Sequence, residues 1–103
     1  DKINMENLKE KVNSMLWDYP LNKRVQIIEQ IFNNSKVAFE NKELALRAIN
    51  SLTWYELLEI LSIQEIYELL DDRLLNRLFP KSRKNFYLDA KRLLSKYCLS
   101  VSR

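Results

Sequence analysis

Apolar residues recur at spacings of three and four along most of the chain, the period of helices lying on a core. Met5, Leu8, Val12 and Met15/Leu16 predict a first helix over about 7–16. Asp18-Tyr19-Pro20 ends it, because a residue before proline avoids the α region. Leu21, Val25, Ile28 and Phe32, broadened by Ile31, predict a second helix over 22–32, with Asn22 as its cap. Asn33-Asn34-Ser35 then breaks the pattern. The stretch 35–50 reads either as a turn at 36–40 and a helix at 42–50, or as one continuous helix. Ser35 and Asn41 are its candidate caps.

Residues 53–79 divide into three nine-residue units, TWYELLEIL, SIQEIYELL and DDRLLNRLF. Each opens on an N-cap residue type: Thr53, Ser62 and Asp71. Glu56 and Glu65 follow the first two caps by three positions, the spacing of a capping box, in which hydroxyl and carboxylate satisfy each other's backbone amides. Leu52 with Leu57, and Leu61 with Ile66, stand where a hydrophobic staple would form. Three short helices are expected, against the alternative of one helix from 53 to about 78. Pro80 closes the third unit. Ser82 would cap a last helix from Arg83 to Tyr97 or Cys98, with Phe86, Ala90, Leu93/Leu94 and Tyr97 facing the core.

Composition agrees with an all-α chain. The 103 residues include no glycine and two prolines, and β-hairpins usually need glycine for their positive-φ positions. The expected fold is a single compact domain of five to seven short helices with a longer C-terminal helix, spanning residues 1–103. Within it, residues 1–6 are expected to be disordered or appended, with Met5 a candidate start residue, and 99–103 are expected to fray. No apolar run reaches the length of a membrane span, and the first residues lack the apolar stretch of a signal peptide; a cytoplasmic protein is expected. The wealth of asparagine, lysine and isoleucine suits a low-GC bacterial genome. LTWYELLEIL and FPKSRKNFYLDAKRLLSKY resemble stretches of small bacterial helical proteins, without a motif that carries any residue's role over.

Chemistry is mostly missing. There is no histidine, the commonest general base and metal ligand. One cysteine cannot build a zinc site or an internal disulfide, and Cys98 reads as a buried, inert thiol. Without glycine there is no phosphate-binding loop. The Glu56/Glu59 and Glu65/Glu68 pairs, with Asp71 and Asp72, are the remaining route to acid–base work, which would need a cleft holding at least two of them. Their bland reading is as caps and a solvated helix face. No catalytic residue, cofactor, metal or small-molecule substrate is expected, and the chain is read as a non-enzyme.

Charge is what varies. Residues 1–79 hold 10 Lys/Arg and 13 Asp/Glu, whereas 80–103 hold 7 and 1. Between 53 and 72 there are six acids and no base. The basic last helix therefore has three readings: a face complemented by the acidic 53–72 segment, a protein contact, or a nucleic-acid surface. Lys81, Arg83, Lys84, Tyr87, Leu88, Lys91 and Arg92 are the candidate partner or nucleic-acid surface. Tyr87 and Leu88 lie off the predicted core stripe, among lysines, where they would either contact a partner or pack against another helix of the bundle. The expected role is a module acting by protein–protein interaction, heterologous or by self-association; the alternative is a nucleic-acid-binding regulator using residues 81–96. No membrane partner is expected.

Overall fold

The computed structural model describes residues 4–101, with side chains through Tyr97. The Cys98 side chain, expected to be buried, and the first three residues lie outside that range.

Among the described residues the chain is all helix, in eight segments: α1 (Met5–Met15), α2 (Leu21–Asn33), α3 (Ser35–Ala38), α4 (Lys42–Ser51), α5 (Trp54–Ile60), α6 (Ile63–Leu69), α7 (Asp72–Asn76) and α8 (Lys81–Val101). The longest is the C-terminal one, as its pattern predicts. The shortest, α3, is a single turn at 35–38, so the stretch 35–50 is broken and not continuous.

The helix ends follow capping chemistry closely. Asn4 opens α1, its side chain accepting from the amides of Glu6 and Asn7, so the helix starts two residues before the sequence pattern suggests. Asn34 and Asn41 do the same for α3 and α4. Both expected capping boxes are present: Thr53 Oγ1 accepts from the Glu56 amide while Glu56 accepts from the Thr53 amide, and Ser62 and Glu65 repeat the arrangement. All four staple residues are buried. The segment 53–76 is therefore three short helices. Asn22, Ser35 and Ser82 are not caps. α2 begins at Leu21 with Pro20 before it and no side-chain cap. α8 begins at Lys81, with the Pro80 carbonyl accepting from the Arg83 and Lys84 amides. Prolines fit these places because the first turn leaves its amides unpaired in any case.

The core runs through Leu8, Val12 and Leu16 of the first segment, Ala45, Ala48, Ile49 and Leu52 of the centre, and Leu57, Ile66, Leu70 and Leu75 of the short helices. Helix α4 lies against α1, and α8 against α6 and α7. Two arginines tie α4 in place. Arg47 donates to both carboxylate oxygens of Asp18, at 2.5 and 2.7 Å, and to the Met15 carbonyl, and its guanidinium lies over the Tyr19 ring. Arg83 Nη1 donates to the carbonyls of Ile49 and Leu52, at 2.9 and 3.3 Å. Those carbonyls sit at the α4 C-terminus, where backbone acceptors lack helical partners.

Helix α2 departs from its predicted packing. Its expected stripe is largely uncovered: Leu21 and Val25 are exposed, Ile28 and Phe32 are half-buried, and Ile31 is the one buried residue. The reason is what surrounds it. α2 packs mainly on α3, one turn long, and on α1; Ile27, Ile28, Ile31 and Phe32 meet the core, while Leu21 and Val25 near its start are left uncovered.

Candidate interaction surface

The C-terminal helix carries the candidate surface, and which face it buries decides what that surface is. The sequence pattern puts Phe86, Ala90, Leu93/Leu94 and Tyr97 inward and Tyr87 off that stripe, against a partner or a second helix. The structure turns the helix by about one residue, or ~100°. Tyr87 is buried, with 1% of its surface exposed, and Leu94 is buried beside it. Phe86, Leu93 and Tyr97 are exposed at 51, 66 and 52%, while Ala90 is half-buried. Arg83, one turn before Tyr87, reaches the α4 carbonyls and pins this rotation. Removing Tyr87 from water pushes its phenol pKa up, with the Arg83 guanidinium acting in the opposite sense.

This corrects the candidate list. Tyr87 is core, so its ring is not free to meet a partner or stack on a base. Arg83 is half-buried and already donates to two carbonyls. Lys81, Lys84, Leu88, Lys91 and Arg92 do share one side of α8, on the helical spacing, and Leu88 is 44% exposed. Two of their cations have contacts within the fold. The Lys91 ammonium lies 5.7 Å from the centre of the Tyr67 ring, and Arg92 pairs with Asp89 at 2.6 Å.

The acidic segment does not complement that face. Among the described residues its ion pairs point the other way, to the N-terminal half: Glu56 to Lys11 at 2.8 Å and Asp71 to Lys42 at 3.9 Å. Burial works against charge on Glu56, but the Lys11 ammonium and the Thr53 amide outweigh it and hold the carboxyl below its usual pKa. Asp18 is likewise lowered, chiefly by its hydrogen bond from Arg47. Glu65 and Glu68 line a small cleft with Glu40, Lys36 and Lys42; Glu65 is engaged there in its capping box and Glu68 accepts from Gln64. Among the described residues no cluster of three potential metal ligands exists, and no helix is long and apolar enough to cross a membrane.

What the sequence reading missed is the opposite flank of α8. Trp54, at the start of α5, meets Phe86 edge-on, the ring centres 6.3 Å apart. With Ala90, Leu93, Leu94 and Asp89 these rings line a shallow, almost wholly apolar groove of about 360 Å³. The groove opens onto a seam of Phe86, Ala90, Leu93 and Tyr97. Other large apolar side chains are exposed far from this helix in sequence, notably Trp17 at the end of α1 and Leu21. The signal for the α8 seam was present in the sequence, in the excess of apolar positions around one helix; periodicity could not say which of them the core would take.

Compared with family models, curated proteins and solved structures, the chain matches none.

Proposed function

We propose that the protein is a non-catalytic module that acts by binding a protein chain through the apolar flank of α8. The observation that carries this reading is the seam itself: three large apolar side chains at least half exposed, in helical register, beside an apolar groove walled by Trp54. Contiguous exposed apolar surface of this kind marks interaction sites in monomeric domains. The aromatic residues at its two ends, Phe86 and Tyr97, are of the types that dominate binding energy. The acids of 53–72 that would serve catalysis are in part spent on caps and ion pairs.

The nucleic-acid reading has less support. Its stacking ring, Tyr87, is buried, Arg83 is engaged, and Lys91 and Arg92 have contacts within the fold. Among the described residues, the stretch 81–96 then offers Lys81, Lys84 and Lys96 as its uncommitted cations, a small footprint for a polyanion.

A photo-crosslinking residue placed at position 93 tests the proposal in cells that make the protein. Protein adducts are expected from position 93 and not from exposed Glu29 on α2. Absence of adducts from 93 would overturn the reading.

A further inference from the structure

Resting on that reading, we propose that the chain covering the seam is a second copy of this protein, with the two α8 helices packed antiparallel. Phe86, Ala90, Leu93 and Tyr97 follow one another at intervals of four, three and four. That is the spacing of a coiled-coil seam, here about 16 Å long at 1.5 Å per residue. A twofold axis passing between residues 91 and 92 sets Phe86 opposite Tyr97 and Ala90 opposite Leu93 in one step. Aromatic faces aromatic, and the smallest seam residue faces the branched one. Since Trp54 stands beside Phe86, the same axis brings the second copy's Tyr97 to the groove between Trp54 and α8.

Charge chooses the direction. Along the open edge of the seam stand Asp89, preceding Ala90, and Lys96, preceding Tyr97; both are exposed, and one oxygen of Asp89 already accepts from Arg92 of its own helix, leaving the other for a partner. In the antiparallel pair Asp89 of each copy lies about 3 Å along the axis from level with Lys96 of the other, giving two symmetric ion pairs. A parallel pair sets neither residue against an opposite charge, because the other edge of the helix holds buried Tyr87 and Leu94. Helices with apolar seams and charged edges select partner orientation in this way. So short a seam belongs to the small, exchangeable class of interface, and dissociation is expected on the order of micromolar.

Sedimentation equilibrium of the purified chain up to about 100 μM, well above such a constant, gives the test. The expected result is a monomer–dimer equilibrium that Leu93→Glu abolishes. Asp89→Lys or Lys96→Asp alone should weaken it at least tenfold, and the two together should restore it. Circular dichroism melts of each variant show whether the monomer is still folded. A chain monomeric throughout, or a dimer indifferent to Leu93→Glu, or one in which the double reversal fails to recover what the single reversals lose, would overturn the second-copy proposal. Adducts from position 93 of mass other than two chains, together with a monomeric purified protein, would leave the protein-binding reading standing and the self-pairing wrong. No adducts of any kind would remove both.

Discussion

Helices α5 to α7 and helix α8 are neighbours in space, yet they obey different rules. The three short helices are bounded by their own side chains: each begins at a residue whose oxygen takes an unpaired amide, and two begin with a reciprocal box. Their buried residues, Leu57, Ile66, Leu74 and Leu75, follow from those boundaries, because a helix of seven residues or fewer has little freedom in what it turns inward. Helix α8 has 21 residues and more apolar positions than its neighbours cover. Its start is set by Pro80, but its rotation is set by Arg83 reaching α4 and Tyr87 filling the space beneath. Local chemistry decides where a helix stops; the surrounding helices decide which side is inside.

The comparison can be broken from either direction, and the largest effect lies in the short helices. Leu57 is fully buried, so Leu57→Ala should cost about 2–5 kcal/mol in denaturant unfolding, the range for a leucine deleted from a packed core. If it costs as little as a surface change, the short-helix segment is not the core. Next comes the contact that fixes the rotation of α8. Arg83→Ala leaves the Ile49 and Leu52 carbonyls without their donor and should cost about 1.5–3 kcal/mol, as for hydrogen bonds to charged groups. Thr53→Ala and Ser62→Ala should each cost about 0.5–2 kcal/mol. Thr53 is expected to be the more expensive, because Glu56 in its box also holds Lys11 of α1.

The smallest expected effect is in acid. Glu56 and Asp18 have folded-state pKa values below their usual ones, so each contributes stability that is complete above the unfolded value of about 4. That contribution is lost as pH falls through the lowered folded value. Melting temperature should therefore decline below about pH 4, and the decline should be shallower in Lys11→Met and Arg47→Met variants. Equal slopes in the variants would contradict the role given to these pairs. Tyr87 has the opposite sign: its raised pKa gives stability that is complete below the ordinary phenol value of about 10 and lost as pH rises through the folded one.

The fold class, the break at 53 and 62, and the caps at Asn41, Thr53, Ser62 and Asp71 were legible in the sequence, because each is a transaction among residues within four positions of one another. The burial of α2 and α8 was not. Their apolar stripes, 21-25-28-32 and 86-90-93-97, are regular, and regularity was mistaken for burial. In α2 the covering neighbours are too short; in α8 the core prefers the adjacent stripe, whose tyrosine and arginine look polar in a sequence but serve packing and α4 capping. The charge asymmetry was equally visible and equally incomplete. Composition could not say that Glu56 and Asp71 would pair with Lys11 and Lys42, or that Lys91 of the basic helix would meet the Tyr67 ring of α6 and not an acid.

One pair of substitutions tests this account most directly, because the two residues are identical in type and adjacent. Leu94 is 9% exposed and Leu93 is 66% exposed. Measured by denaturant unfolding at a concentration where the chain is monomeric, Leu94→Ala should lower stability by about 2–5 kcal/mol. Leu93→Ala should change it by no more than about 0.5 kcal/mol. Equal losses, or a larger loss at Leu93, would mean that α8 packs through the seam assigned here to a partner.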